Sequence, residues 1–292
     1  MTTARELLLT RLTGLHQELL VRDEEMRVRV PDAVHQARVT CRRLRAALGT
    51  FGPLLDPAVS EPLRAELRWT ARSLGEVRDT EVVHARLQRL VEEPDVTVAG
   101  PVLRRMGSLF RARDAAAWAR VVETTESDRY AGLLTSVRRV VEDPPWLHNA
   151  EVELGRIVAP LVRADRTRLE VRVARAAGTS AGRRDDALHA VRRAAKRLRY
   201  AGEAIEPAWG HDATRVVEAL VRITRSLGER QDTVVSRHVL HGLAVSAGAA
   251  GECTSTYEHL RSKEEVRAGE CEAAFEEAWC EVSRPELWAW LE

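Results

Sequence analysis

The sequence has 292 residues, of which 45% are hydrophobic, so a wholly disordered chain is excluded and one large domain or two smaller ones are possible. No stretch approaches the ~18 apolar residues that span a bilayer, and no signal peptide is recognisable, so we expect a cytoplasmic protein without membrane contact. The four cysteines fit no zinc spacing, so they predict a reduced chain without a metal cofactor. The net charge is only +1, but residues 252–292 hold 11 acidic and 4 basic side chains, which leaves about +8 for the rest.

Helical periodicity runs through nearly the whole chain. Apolar residues recur at every third and fourth position, and good helix formers dominate. Thr3 to Glu6 form a capping box, and Pro31 with Asp32 opens the second helix. Breaks rich in proline and glycine separate the later elements. The sequence therefore predicts an all-α protein with helices near residues 3–25, 32–50, 58–76, 79–92, 101–120, 126–142, 151–176, 184–205, 212–229, 231–247 and 255–283.

Two motifs occur twice in the same order. The basic helix around His35 matches the one around His189, 154 residues later, and the segment RSLGEVRDTEV at 72–82 matches RSLGERQDTVV at 225–235, 153 residues later. Chance could produce one such match among arginine-rich helices, but two in order indicate an internal duplication. With the break EDPPW at 142–146, it predicts two helical-bundle halves, residues 1–144 and 145–292, related by a pseudo-twofold axis.

The repeated basic residues share one side of their helix. With the motif histidine at 0°, the cations at positions +3, +7 and +10 fall at about 300°, 340° and 280°. An apolar stripe lies beside them at about 180° to 260°, so the cations border the buried face and predict a groove or an interface. In the two copies these residues are His35, Arg38, Arg42 and Arg45, and His189, Arg192, Lys196 and Arg199.

Such a row of like charges requires compensation, because each i,i+4 pair repels by a few tenths of a kcal/mol. Acids on other helices could neutralise the row, or an anion could bind between the two rows. The second motif supplies Asp79 and Asp232, which could hold a motif arginine, and Gly75 and Gly228, which allow close approach or a helix end. The repetition of the row favours the bound anion.

The pattern H-x-x-R-x-x-x-(R/K)-R-L-R, present twice and each time followed by R-S-L-G-E-x-x-D, resembles the CHAD domain family. The resemblance covers nearly the whole chain. It implies two four-helix-type bundles with a basic groove or pore between them, and binding of inorganic polyphosphate at bacterial polyphosphate granules. Some members of the family carry an additional triphosphate-tunnel domain marked by E-x-E-x-K. Residues 151–155 read EVELG and lack the lysine, so we expect a stand-alone member without that hydrolytic domain.

The resemblance also assigns the polyphosphate-binding residues position by position. Polyphosphate offers about one negative charge per phosphate and no bases, and arginine forks suit its oxygens. Such binding requires no catalytic residue and no cofactor, so we expect a protein that is not an enzyme. The residues assigned to polyphosphate are His35, Arg38, Arg42, Arg43, Arg45, Arg72, Arg78, His189, Arg192, Arg193, Lys196, Arg197, Arg199 and Arg225.

Three alternatives remain open on the residues alone: nucleic-acid binding, an enzyme, and a helical scaffold that binds another protein through the acidic C-terminal helix. The basic rows would also suit a nucleic-acid backbone, although only Tyr200 interleaves an aromatic ring with them, so the sequence disfavours nucleic acid. Paired motif histidines could serve a phosphate-handling enzyme, but no Walker A, HExxH or GxSxG motif is present. His238 and His241 stand three apart on a predicted helix, and two ligands alone do not make a metal site.

Overall fold

The structure is a computed structural model that describes residues 3–147 and 154–291. Nine α-helices and three single-turn 3-10 helices make up this described part, which contains no strand. The predicted all-α class is confirmed. The helices are α1 (Ala4–Arg27), α2 (Ala33–Thr50), α3 (Pro57–Ser73), α4 (Gly75–Val91), α5 (Val102–Thr125), α6 (Asp128–Glu142), α7 (Leu154–Ala177), α8 (Ala181–Ala249) and α9 (Ser255–Val282).

The first half follows the predicted elements closely. The capping box forms as predicted, since the Glu6 backbone N–H donates to Thr3 Oγ1 at 3.2 Å and the Thr3 N–H donates to the Glu6 carboxylate at 2.8 Å. Helix α4 begins at Gly75, four residues before the predicted start, because only Leu74 separates it from α3. Residues 151–153, on which the stand-alone prediction partly depends, lie outside the described ranges.

Helix α8 replaces three predicted helices. The predicted break at 206–211 shrinks to Gly210, whose φ of 53° and ψ of −129° turn the chain between two helical arms. The predicted break near residue 230 is absent, and helix continues through Gly228. Glycine was an unreliable signal there, because it also occurs inside helices where a neighbour approaches closely. Between the two arms such an approach occurs at Gly202, where a Cβ would lie 2.8 Å from Val217 Cγ2.

Two hydrophobic clusters hold the helices together, and each contains residues from both predicted halves. The larger runs from Ala4 in α1 to Leu291 near the C-terminus. The smaller joins α4 and α5 to the end of α8 and to α9, with Phe110 and Tyr257 as its large aromatic members. Helix α2 packs against α8, so the two basic motif helices lie side by side. The division at residue 144 stays a prediction.

Two further findings concern the surface and the thiols. Within the described ranges no helix combines the length and the apolar character that crossing a bilayer requires. All four cysteines are free thiols. Burial raises the pKa of the Cys41 thiol to about 12, so this cysteine is an inert core residue.

Candidate anion-binding cleft

A cleft of about 290 Å³ opens between α2, α3, α7 and α8. Basic side chains from both sequence copies line it, together with basic side chains from α3. Of the described residues at its surface, one carries a carboxylate. The charged lining residues are Arg42, Arg45, Arg64, Arg68, Asp165, Arg193, Lys196 and Arg197.

Five of these cations have no acidic partner among the described residues: Arg68 of α3 and four from the motif copies. Arg42 and Arg45 come from the first copy, and Arg193 and Lys196 from the second; no described carboxylate lies within ion-pair distance of any of them. Buried Nε of Arg42 also lacks a hydrogen-bond acceptor. Burial and the nearby guanidinium of Arg68 lower the pKa of Arg45. The cleft therefore holds uncompensated positive charge from both copies.

Burial and the positive charge of the cleft lower the pKa of Lys196. Burial first, and then the guanidinium groups of Arg192, Arg42, Arg199 and Arg38, lower the pKa of its ammonium group to about 7. An anion in the cleft would raise the pKa of Lys196 again, because it would offset the positive charge of the surrounding guanidinium groups.

The motif glycines make room for the motif arginines in the same way in both copies. A side chain at Gly75 would meet Arg38 Nη2 at 3.4 Å, and one at Gly228 would meet Arg192 Nη2 at 3.5 Å. Arg38 also donates a hydrogen bond to the Gly75 carbonyl at 2.6 Å. Helix α4 begins at Gly75, whereas α8 continues through Gly228, so close approach is the feature that the two glycines share. These matched contacts are what a duplicated unit would produce.

The motif aspartates behave differently from each other. Asp79 accepts from Arg38 Nη1 at 3.2 Å, and 71% of its side chain is exposed. Asp232 forms no ion pair with a described cation within 4 Å, although it attracts Arg192 and Arg86 at longer range. Burial raises the pKa of the Asp232 carboxyl above its ordinary value. The predicted contact between motif aspartate and motif arginine therefore forms in the first copy, through one guanidinium nitrogen, and is missing among the described residues of the second.

The two motif histidines flank the rows at partly buried positions. Burial and then Arg78 lower the pKa of His35, while burial lowers the pKa of His189 against a hydrogen bond of 2.8 Å between its Nδ1 and Gln231 Oε1. Both imidazoles are therefore neutral at pH 7. Arg78 is neutralised by Asp32 at 3.6 Å and by a second acid one turn away on α4.

Besides Arg38 and Arg78, three more of the predicted binding arginines form ion pairs. Glu203 lies between the copies and holds Arg43 at 3.4 Å and Arg199 at 3.2 Å. Arg197 binds Asp165 at 2.8 Å while still lining the cleft. These arginines fix the walls of the cleft in position more than they contribute free charge to it.

The first arginine of the second motif has different surroundings in the two copies. Arg72 is exposed and close enough to Arg45 to repel it. Arg225 lines another cleft, between α8 and α9, where four glutamates accompany it. Because most of these glutamates lie on α9, this part of the second copy is a mixed-charge surface.

Sequence reasoning identified Arg72 on α3 but missed two other arginines of that helix. Arg64 and Arg68 line the cleft, and with Arg72 they repeat every four residues along one side of the helix. The helical spacing that identified the motif rows would have found this stripe as well. Arg64 Nη2 would lie 3.1 Å from a Cβ atom at position 49. Because Gly49 has no side chain, the Arg64 guanidinium fits against α2 there.

The acidic helix α9 contributes no residue to the lining of the cleft. It neutralises arginines elsewhere instead. Glu264, fully buried, accepts two hydrogen bonds from Arg86 at 2.6 and 2.7 Å. Glu272 accepts from buried Arg230 at 2.7 Å. These pairs explain how a nearly neutral chain keeps a strongly positive cleft.

The alternative sites found in the sequence gain little from the structure. His238 and His241 are exposed on α8, and His238 lines a separate cleft beside α5. In the part of the chain that the structure describes, no three side chains of histidine, cysteine, aspartate or glutamate are grouped as metal ligands.

Known proteins share both the sequence pattern and the fold. The CHAD domain family matches residues 10–241. The uncharacterized proteins MT2285 and Rv2226 of Mycobacterium tuberculosis are each 34% identical over 266 residues, which cover 90% of this chain and 50% of theirs. The chain therefore spans about half the length of these curated relatives.

Two solved structures have a similar fold. PptA from Streptomyces chartreusis superimposes with a TM-score of 0.79 at 22% identity, over 96% of this chain and 99% of its own. The CHAD domain from the plant Ricinus communis gives a TM-score of 0.72 at 23% identity, over 94% and 90%. Since the family matches most of the sequence and these folds agree, the chain belongs to the CHAD domain family.

Proposed function

We propose that this protein binds inorganic polyphosphate in the cleft between α2, α3, α7 and α8, without hydrolysing it. The observation that carries the proposal is the set of four cations from both copies that line one cleft with no carboxylate of the described residues within ion-pair distance. The CHAD family is associated with polyphosphate binding in general. We expect the protein in the cytoplasm, at polyphosphate granules.

The chemistry of the cleft suits a strand of phosphates. Guanidinium forks bind non-bridging phosphate oxygens two at a time, and the uncompensated charge favours any polyanion that enters. Asp165, the carboxylate at the surface, is engaged by Arg197 and so repels the strand less than a free acid would. Bound phosphates would take the place of the missing acidic partners of Arg42, Arg45, Arg193 and Lys196.

Nucleic acid fits the cleft less well than polyphosphate. Single-strand binders offer aromatic faces on which bases stack. Tyr200 is the aromatic residue at this surface, but it is only 6% exposed and the Arg199 guanidinium lies 4.8 Å from its ring centre. Its ring is therefore unavailable for stacking, which favours a polyanion without bases.

An enzymatic role also has less support. The motif histidines have lowered pKa values and are neutral at pH 7, and Gln231 already engages His189. Asp32 acts on His35 only at longer range, and no described carboxylate lies within ion-pair distance of either imidazole to orient it as a catalytic pair requires. We therefore propose binding without turnover.

The test is a titration of the protein with polyphosphate, RNA and duplex DNA at equal phosphate concentration over a salt series, with released phosphate measured in parallel. We expect the tightest binding for polyphosphate, a steep loss of affinity with salt, and no released phosphate. Equal or tighter binding of RNA or DNA, or affinity that is flat with salt, would contradict the proposal. Released phosphate would show an enzyme.

The two arginines of the second motif provide an internal comparison. Arg72→Glu should weaken polyphosphate binding several-fold at low salt, because Arg72 belongs to the positive surface around Arg45. Arg225→Glu changes the charge equally but acts in the α8–α9 cleft, so we expect less than a twofold effect. Equal losses for both variants would place the binding surface elsewhere.

A further inference from the structure

Lys196 is the one lysine among the cations of the cleft. In the other copy the matching position is Arg42, so the sequence provides both residue types at equivalent places. The two differ in chemistry, because a guanidinium stays charged at any relevant pH, whereas an ammonium group can lose its proton when its surroundings oppose the charge.

Cations dominate the surroundings of Lys196. No acidic group of the described residues lies within ion-pair distance, and the nearest carboxylate of the cleft, Asp165, is bound by Arg197. Asp232, which is partly buried, attracts the ammonium group at longer range. The charged and titratable groups around Lys196 come from four helices. They are His189, Arg192, Arg193, Arg197, Arg199 and Asp232 on α8, Arg38, Arg42 and Arg45 on α2, Arg64 and Arg68 on α3, and Asp165 on α7.

This environment makes Lys196 the group of the cleft that changes charge near neutral pH. Burial and the neighbouring guanidinium groups lower its pKa to about 7. The arginines stay protonated. His35 and His189 have pKa values below the ordinary value, so they are already neutral where Lys196 titrates.

We propose that Lys196 couples the binding of a polyanion in the cleft to the uptake of one proton. The inference rests on the proposed function and adds regulation by pH to it. Above pH 7 the empty protein holds a neutral amine, and the incoming phosphates restore the charge, so each binding event takes up a proton. Below pH 7 the ammonium group is already charged and binding is strongest.

The size of the effect follows from linkage. Where the empty protein lacks the proton and the complex holds it, affinity falls by up to about tenfold per pH unit. The fall begins near pH 7 and ends at the pKa of Lys196 in the complex. An arginine at this position would hold its charge throughout and would show no such fall.

The experiment measures the Kd for polyphosphate at pH 6, 7, 8 and 9 and constant ionic strength, for the unchanged protein and Lys196→Arg. Each protein is compared with its own Kd at pH 6. Between pH 6 and pH 9 we expect the unchanged protein to lose at least tenfold more affinity than Lys196→Arg loses. Both proteins share the titration of the ligand, so that contribution cancels. Lys263→Arg, at the other lysine of the chain, should follow the unchanged protein.

Calorimetry in buffers of different ionisation enthalpy counts the protons directly. At pH 8 we expect about one proton more for the unchanged protein than for Lys196→Arg. If the arginine variant folds poorly, Lys196→Met replaces it: this variant should bind weakly at pH 6 and should also lack the extra proton. Parallel pH profiles and equal proton counts would overturn the inference while leaving the proposed function intact. No polyphosphate binding by any of these proteins at pH 6 would overturn both.

Discussion

Replacing Lys196 with methionine should stabilise the empty protein, and by an amount that depends on pH. Methionine keeps the length and most of the apolar stem of the lysine but carries no charge. At pH 6 the lysine is protonated among guanidinium groups, so its removal relieves repulsion and a desolvation cost. At pH 9 the amine of Lys196 is already neutral in the folded protein, so replacing it with methionine increases the stability much less.

The magnitude follows from the two pKa values of this lysine. In the unfolded chain the pKa is 10.5, and in the folded protein it is about 7. Between these values the unfolded state binds more protons, so stability rises with pH by about 1.36 kcal/mol per pH unit. The unchanged protein should therefore gain about 2–3 kcal/mol in its free energy of unfolding between pH 6 and pH 9 relative to Lys196→Met, with nearly all of the gain above pH 7.

Urea denaturation followed by circular dichroism measures both proteins at pH 6, 7, 8 and 9. Lys263→Met is the matched control: Lys263 binds Asp95 and Glu93, which raise its pKa, so its effect should not change over this range. Two results would refute the view that Lys196 is an uncompensated cation. One is a difference in free energy of unfolding between Lys196→Met and the unchanged protein that stays constant with pH; the other is a Lys196→Met protein that is less stable than the unchanged protein at pH 6.

Three more variants test other parts of the structure. Gly202→Ala should destabilise the protein by about 1–3 kcal/mol, because its methyl group would press on the facing arm of α8. Gly132→Ala has open space around it on α6 and should stabilise the protein by about 0.5–1 kcal/mol. Thermal unfolding of the two variants compares these effects. Glu264→Gln should cost about 3–5 kcal/mol in urea denaturation, since it leaves the charge of Arg86 without its partner, and a loss below 1 kcal/mol would contradict this. Asp165→Asn should tighten polyphosphate binding about two- to tenfold at low salt in the same titration, and weaker binding by a folded variant would speak against the cleft.

Most of the fold was predictable because helical periodicity is a local signal. The predicted helix at 32–50 corresponds to Ala33–Thr50 and that at 126–142 to Asp128–Glu142. The errors fall at glycines. Gly228 signalled an end but lies inside α8 beneath Arg192, and the sequence contains no local sign of that neighbour. Gly210 alone makes the turn that the whole segment EPAWGHD had indicated.

The site was predictable as two rows of cations but not as a balance of charges. Spacing placed Arg42 and Lys196 on equivalent sides of their helices, and the structure brings both to one cleft. Which cations remain free depends on acids far away in sequence. Glu203 engages Arg43 and Arg199, whereas no described acid reaches Arg45, and only the packing of the helices decides this.

The same balance guides the choice of residues for a binding test. Arg38 donates to the Gly75 carbonyl and Arg192 is largely enclosed, so glutamates at these motif positions would perturb folding and binding together. Arg45 and Arg193 line the cleft without acidic partners among the described residues, and Arg193 is exposed. Changes at this second pair should act on binding with less effect on packing.

Binding of polyphosphate in the cleft is tested most directly by two double variants. The Kd for polyphosphate at low salt is measured for Arg45→Glu/Arg193→Glu and compared with that of Arg113→Glu/Arg139→Glu. Arg113 and Arg139 are exposed on α5 and α6, away from the cleft, so the two double variants carry the same change in net charge. We predict that the cleft variant loses at least 100-fold in affinity with an unchanged helical signal, because two favourable contacts become repulsive, while the control loses less than about fivefold. Equal losses in both would show binding governed by net charge, and would contradict a specific cleft between the two copies.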